Sequence, residues 1–192
     1  PLHPKARQAL LDASTENWAN PSSPYRISAK VRASMQLCRE SIASSLDTDS
    51  DQITFTSGST EANNSVFSNL ARTASSSSRV LLSPYEHPSV SEAAHHWFAD
   101  RVDYLGAQPD GTVSTDDLEA CLSKEPLPAL VSILAASNES GVIQLWREAA
   151  RICRKFGVPY HCDSTQLPGK ENLSELSLCS YSVFSAHKFG GP

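Results

Sequence analysis

Residues 145–166 read LWREAARICRKFGVPYHCDSTQ, a helical pattern that runs directly into a short apolar strand. Apolar side chains recur at helical spacing from Leu145 to Phe156, and Gly157 follows where many helices end in a left-handed residue. The next segment, Val158–Cys162, is short and apolar and predicts a buried strand. A helix that leads into a buried strand is the repeating unit of α/β proteins.

The rest of the chain repeats this unit, so we expect an α/β fold whose mostly parallel sheet lies between two helical layers (three-layer αβα). Further helices are predicted over Pro4–Ala13, Tyr25–Leu46, Thr60–Ala71, Pro88–Phe98 and Ser114–Leu122. Further strands are predicted over Gln52–Thr56, Val80–Ser83, Val102–Leu105, Leu130–Ala135 and Tyr181–Ser185. No boundary is evident before Pro192, so residues 1–192 are expected to form one large domain.

The composition excludes several classes of partner. The net charge is −5, whereas nucleic acids and anionic membranes select basic surfaces. No apolar run reaches membrane-spanning length. The five cysteines are odd in number, scattered and without a C-x-x-C pair, which disfavours a disulfide framework or a zinc site and favours a cytoplasmic location.

Ligands of parallel sheets gather at the carboxyl ends of the strands, where two motifs stand out. The turn Gly58-Ser59-Thr60 opens a helix and suits a phosphate, although Ser59 or Thr60 could instead only cap that helix. Asp163 ends the strand of the opening stretch and could hold a protonated heteroaromatic nitrogen; the alternative is a capped turn. A metal site at residues 161–163 is disfavoured, because adjacent strand residues point to opposite faces.

Two further residues complete a possible site. Lys188 lies just beyond an apolar strand, where partial desolvation favours the neutral amine that attacks carbonyls, although most lysines are simply solvated. His87 follows another strand and offers a flat ring, although lone loop histidines are more often structural. A phosphate cradle, a pyridinium partner, an amine and a flat ring are the parts that a pyridoxal 5′-phosphate (PLP) site requires.

Five blocks carry a family resemblance: FTSGSTEANN (55–64), EHPSV (86–90), SNESGVIQ (137–144), HCDSTQ (161–166) and SAHKFGGP (185–192). With Asn20-Pro21-Ser22-Ser23, they cover nearly the whole chain. The sequence resembles the cysteine desulfurases, members of the class V aminotransferases of PLP fold type I. These enzymes convert L-cysteine to L-alanine and pass the sulfur, as an enzyme persulfide, to iron–sulfur cluster scaffolds or other acceptor proteins.

The resemblance implies a role for each matching residue. Lys188 would be the Schiff-base lysine and would move the Cα proton, while His87 would stack on the ring and assist proton transfer. Asp163 would pair with the pyridine nitrogen, and Gln166 would bond the ring oxygen. The remaining cofactor contacts would come from Ser59, Thr60, Ser185 and His187 at the phosphate and from Asn138 beside the ring and the substrate carboxylate.

The family also has segments for which this sequence shows no counterpart. The chain opens at Pro1 without methionine and stops four residues after Lys188, so we expect a protein truncated at both ends. The family's smaller C-terminal domain, its substrate-binding arginine and its persulfide cysteine have no counterpart among these residues. The 192 residues alone are therefore expected to be inactive, and the homodimer of the family is expected only at full length.

Two alternatives stay open. The chain could belong to a related class V PLP enzyme, such as a selenocysteine lyase, a cysteine-sulfinate desulfinase or an aminotransferase-like protein. It could also be a non-catalytic PLP-binding fragment.

Overall fold

The computed structural model describes every residue from Pro1 to Pro192, and the chain divides into two compact units. One unit contains residues 56–185, and the other contains residues 1–55 together with residues 186–192. The expectation that residues 1–192 form a single large domain stays a prediction.

The larger unit is built on a five-stranded sheet in the order β2-β1-β3-β4-β5, in which every neighbouring pair is parallel. Its strands are β1 (Val80–Leu82), β2 (Val102–Tyr104), β3 (Leu130–Ser132), β4 (Tyr160–Asp163) and β5 (Tyr181–Val183). Its helices are α3 (Ser59–Thr73), α4 (Pro88–Phe98), α5 (Thr115–Leu122) and α6 (Trp146–Phe156). The predicted α/β fold with a parallel sheet flanked by helices is confirmed.

The central strands are buried at every position, as expected for a parallel sheet covered by helices. One core cluster joins α3 and α4 to the sheet through Phe67, Val80, Leu82, Val90, Ala93, Ala94, Phe98 and Leu130. Within it, the rings of Phe67 and Phe98 meet edge to face with centroids 6.5 Å apart. This packing fixes α3, the helix that opens with the Gly-Ser-Thr turn.

Helix α6 has the predicted amphipathic pattern. Its buried positions are Trp146, Ala149, Ala150 and Cys153, which recur at intervals of three and four residues along one face. Burial raises the pKa of the Cys153 thiol to about 12. The helix ends at Gly157 with φ 68°, so the predicted left-handed cap is confirmed.

The smaller unit contains α1 (Pro4–Glu16), α2 (Arg26–Leu46) and two 3-10 turns, at Ser50–Gln52 and Ala186–Phe189. A backbone hydrogen bond of 2.8 Å from His3 to Gly190 ties its two chain segments together. No helix of the structure is both long and apolar enough to cross a bilayer.

The predicted strand Gln52–Thr56 is wrong. Backbone groups that a strand would offer to a neighbouring strand have other partners: the Ile53 amide donates to Ser50, and the Ile53 carbonyl accepts from Arg39 Nε at 3.2 Å. The segment has the β-prone residues of a strand but no strand beside it to pair with. The other predicted elements are present, with ends displaced by three residues or fewer.

Candidate functional site

The first turn of α3 lies against the carboxyl ends of β4 and β5. Gly58 precedes the helix with φ 151°, a conformation that side chains rarely adopt, and the direction of its missing Cβ points toward Ser185 Oγ at 3.6 Å. Ser59 Oγ lies 2.8 Å from Thr165 Oγ1, just beyond β4. Neither Ser59 nor Thr60 caps the helix, since no side chain accepts from its first amides in the way a cap does. The helix therefore presents amides and hydroxyls, as a phosphate site requires.

Asp163 is the last residue of β4, and only 7% of its surface is exposed. Its Oδ1 accepts the Thr165 amide at 3.0 Å, which is the capped turn considered from the sequence. Its Oδ2 accepts from Asn63 Nδ2 at 3.2 Å. Each carboxylate oxygen has two acceptor positions, so this residue retains capacity for a further donor.

A row of buried polar side chains, which no sequence motif indicated, lies behind Asp163. His161 Nε2 lies 3.0 Å from Asn63 Oδ1, and His161 Nδ1 lies 2.8 Å from the Ser132 hydroxyl. His161, Asn63 and Ser132 are all fully buried. Burial lowers the pKa of His161 to about 4, while the Asp163 charge acts in the opposite direction, so the imidazole is neutral at physiological pH.

Simple periodicity could have indicated two of these residues. Asn63 follows Ser59 by four residues and therefore lies on the same helical face. His161 precedes Asp163 by two residues and therefore shares its face of the sheet.

Glu86 and His87 follow β1. Glu86 Oε1 accepts the Leu134 amide at 2.8 Å, and its Oε2 is buried. Burial, reinforced by the negative charge of Asp163, raises the pKa of Glu86 well above its ordinary value. This carboxyl therefore tends to hold its proton.

His87 is exposed and caps α4, where its Nδ1 accepts the Ser89 amide at 3.1 Å. The structural role considered from the sequence is thus real, but it leaves the ring face and Nε2 available. The Ser89 hydroxyl lies 2.8 Å from His87 Nδ1 and accepts from Asn63 Nδ2 at 2.9 Å. His87 is thereby joined to Asn63 through one hydroxyl group.

The other predicted site residues follow β3, β4 or β5 along the chain or lie in the first turn of α3. Gln166 follows β4, and its Oε1 accepts from Lys170 Nζ at 2.7 Å. Asn138 and Thr60 are exposed, the former in the loop after β3. His187 and Lys188 are exposed in the 3-10 turn Ala186–Phe189, which belongs to the smaller unit.

The donor and acceptor groups of the larger unit fit PLP. The open amides and hydroxyls at the start of α3 match an anion, and the buried carboxylate of Asp163 with spare acceptor capacity matches a protonated ring nitrogen. The exposed His87 ring supplies a flat face. These groups would hold the phosphate, the nitrogen and the ring of the cofactor.

Comparison with known proteins gives the family. The family model described as Aminotransferase class-V matches residues 2–192. The chain belongs to this family. Its members and the related cysteine desulfurases are PLP-dependent enzymes, in agreement with the cofactor expected from the sequence.

Curated relatives of this class V protein include cysteine desulfurases. "Cysteine desulfurase IscS" of Dictyoglomus turgidum is 34% identical over all of this chain and 49% of its own length. "Cysteine desulfurase, mitochondrial" of Candida albicans is 32% identical over all of this chain and 40% of its own length. The chain thus spans about half the length of the curated relatives that it matches.

Solved structures match the fold of this class V protein. A structure titled "NIFS-LIKE PROTEIN" superposes over the whole chain with a TM-score of 0.91 at 30% sequence identity, and the match covers 53% of that protein. "SspA in complex with cysteine" gives the same TM-score at 23% identity, which supports the fold.

Proposed function

We propose that this chain forms the cofactor-binding part of a PLP-dependent cysteine desulfurase. The observation that carries the proposal is the buried Asp163 carboxylate at the carboxyl end of β4, with both oxygens oriented by named donors and with acceptor capacity to spare. It occurs in a chain whose relatives are named cysteine desulfurases.

Bound PLP supplies an electron sink for bonds broken at the substrate Cα. In this proposal Asp163 holds the protonated ring nitrogen, and its negative charge keeps that nitrogen protonated. Gln166 bonds the ring oxygen, and His87 stacks on the ring and assists proton transfer. Because the Ser89 amide occupies Nδ1 of His87, the neutral ring carries its proton on Nε2, the atom left free to act.

The phosphate is assigned to the start of α3 and to the segment after β5. Ser59 and Thr60 offer hydroxyls beside the first amides of a 15-residue helix, whose dipole favours an anion. Ser185 is buried and faces Gly58, and His187 follows it in the motif that begins at Ser185. We assign Ser185 and His187 to the phosphate because of this motif.

Lys188 is assigned the covalent bond to the cofactor and the movement of the Cα proton. The assignment rests on the motif SAHKFGGP, since the structure describes the lysine only as an exposed residue of the smaller unit. Asn138 is assigned a place beside the cofactor and the substrate carboxylate because it lies in the motif SNESGVIQ (137–144).

The substrate, the partners and the location belong to the same proposal. L-cysteine is the substrate, and its sulfur passes as a persulfide to an iron–sulfur scaffold or another acceptor protein. The full-length enzyme is a homodimer. Its location is cytoplasmic, in keeping with five cysteines that form no disulfide.

The experiment adds PLP to the purified protein, removes free cofactor and measures the visible absorbance before and after borohydride reduction. We expect a bound chromophore that reduction fixes to the Lys188 peptide, as identified by mass spectrometry. Lys188→Ala should lose this attachment, whereas the exposed Lys124→Ala should retain it. A wild-type protein that takes up no PLP contradicts the proposal.

The substrate is tested by the release of alanine. Alanine formed from L-cysteine is compared with alanine formed from L-selenocysteine and from L-cysteine sulfinate, in the presence of a thiol reductant. We expect the full-length protein to prefer L-cysteine and the 192 residues alone to release little or no alanine. A marked preference for either of the other two substrates contradicts the assignment to L-cysteine.

A further inference from the structure

The side-chain amide of Asn63 makes three hydrogen bonds inside the protein, two from its nitrogen and one at its oxygen. Its Nδ2 donates to Asp163 Oδ2 at 3.2 Å and to Ser89 Oγ at 2.9 Å, and its Oδ1 faces His161 Nε2 at 3.0 Å. The residue is fully buried in the second turn of α3. A single amide therefore joins α3 to the end of β4 and to the start of α4.

The chemistry of the partners fixes the direction of these bonds. An ionised carboxylate only accepts, so the NH₂ group of Asn63 must face Asp163 and its oxygen must face His161. His161 therefore donates from Nε2 and accepts from the Ser132 hydroxyl at Nδ1. The neutral state that burial imposes on His161 matches this assignment, because a neutral imidazole has one donor and one acceptor.

The hydrogen bonds of Asn63 help to fix the orientation of the Asp163 carboxylate. Thr165 holds Oδ1 and Asn63 holds Oδ2, so the plane of the carboxylate is fixed and the directions of its remaining acceptor positions are fixed with it. The Thr165 bond is local to the turn after β4. Only Asn63 connects Oδ2 to another element, and His161 and Ser89 in turn prevent the Asn63 amide from rotating.

We infer that Asn63 is a positioning residue that aims the Asp163 carboxylate at the ring nitrogen of the cofactor. His161 and Ser132 support it from behind by fixing the orientation of its amide. This inference rests on the proposed PLP function. A bond that only held α3 against β4 would stabilise the fold without regard to the atom that the carboxylate faces.

The two roles are separated by a PLP analogue in which a C–H group replaces the ring nitrogen. The analogue keeps the phosphate, the aldehyde and the ring oxygen, so it reports every contact except the one at Asp163. Dissociation constants of PLP and of the analogue are measured for the wild-type protein, Asp163→Ala and Asn63→Leu. Asn69→Leu is the matched control, because Asn69 is an exposed asparagine of the same helix.

We expect the wild-type protein to prefer PLP over the analogue by about tenfold or more, the range of a charge-assisted hydrogen bond. Asp163→Ala should abolish this preference, and Asn63→Leu should reduce it by about fivefold. Asn69→Leu should keep the wild-type ratio. A structural role alone would weaken the binding of both ligands equally and leave the ratio unchanged.

Each outcome decides the inference. If the wild-type protein prefers PLP and Asn63→Leu keeps that preference, Asn63 does not act through Asp163 and the inference is overturned while the proposed function stands. If the wild-type protein binds neither ligand, both are overturned. Asn63→Ala, which leaves a small cavity rather than a different branched side chain, takes the place of Asn63→Leu if the latter does not fold.

Discussion

Nδ2 of Asn63 donates a hydrogen bond to Oδ2 of Asp163 over 3.2 Å, although 100 residues separate the two along the chain. The bond joins the second turn of α3 to the last residue of β4. It lies in a fully packed region, since the Phe67 ring contacts His161 with centroids 5.9 Å apart. The geometry of the candidate site therefore depends on the packing of the core behind it.

Asp163→Asn should weaken PLP binding by about 10- to 100-fold, because the substitution removes the charge that pairs with the ring nitrogen. It also places an amide opposite the Asn63 NH₂ group, which requires an acceptor at that point. Binding is measured by titration of the visible absorbance. Asp100→Asn, at an exposed aspartate, should bind as the wild type does, and wild-type affinity in Asp163→Asn would contradict the role assigned to Asp163.

Phe67→Ala should lower the free energy of unfolding by about 3–5 kcal/mol, the usual cost of removing a buried phenyl ring. Phe67 is fully buried and packs edge to face against both Phe98 and His161. Urea-induced unfolding followed by circular dichroism measures the change. Leu145→Ala, at a residue that is half exposed, should cost less than about 1 kcal/mol. Similar losses in the two variants would show that Phe67 is not part of a tightly packed core.

Sequence patterns predicted the helices and strands whose formation depends mainly on residues close together in the chain. The helix Pro88–Phe98 was predicted with its observed ends, since a proline opens it and a regular apolar face runs through it. The strands at Val80 and Leu130 were evident because both are continuous apolar runs. The segment after Gln52 has the same β-prone composition, but a strand also requires a neighbouring strand to pair with. The residues of the segment do not show whether such a strand is present.

The same holds for the candidate site: residues at recognisable motifs were predicted, whereas contacts between distant parts of the chain were not. Asp163 and the Gly58 turn were found because each sits at a recognisable junction between elements. The bond from His161 to Asn63 spans 98 residues and depends on how α3 packs on the sheet, so neither residue alone indicated it. The residues near a buried polar group in the chain do not identify its hydrogen-bond partner, because the partner is brought close only by folding.

Acidification should destabilise the protein through His161. Its folded pKa of about 4 lies below the ordinary value near 6.5. Between these two pH values, the unfolded chain binds a proton at His161 that the folded chain does not bind. The stability that depends on neutral His161 is complete above about pH 6.5 and is lost as the pH falls toward 4, by roughly 1.4 kcal/mol per pH unit at most. Urea unfolding of the wild type and of His161→Gln at several pH values measures this slope.

The His161→Gln variant should lose that part of the slope, although it is less stable at neutral pH because its hydrogen bonds to Asn63 and Ser132 are altered. His96→Gln, at an exposed histidine of α4, should keep the wild-type slope. Equal slopes in the wild type and His161→Gln would show that His161 takes up its proton equally well in both states.

Glu86 should give a pH dependence of the opposite sign. Its pKa is raised by burial and by the negative charge of Asp163, so the folded chain holds a proton that the unfolded chain releases above its ordinary pKa of 4.5. The stability gained from the protonated carboxyl is complete below pH 4.5 and declines as the pH rises toward the folded pKa. Glu86→Gln keeps an oxygen for the Leu134 amide and removes the titrating proton, so its stability relative to the wild type should increase as the pH rises from 5 to 8. Urea unfolding at both pH values measures the difference, with the exposed Glu92→Gln as the matched control that should follow the wild type. Parallel behaviour of Glu86→Gln and the wild type would show that the Glu86 carboxyl is already ionised in the folded protein at pH 5.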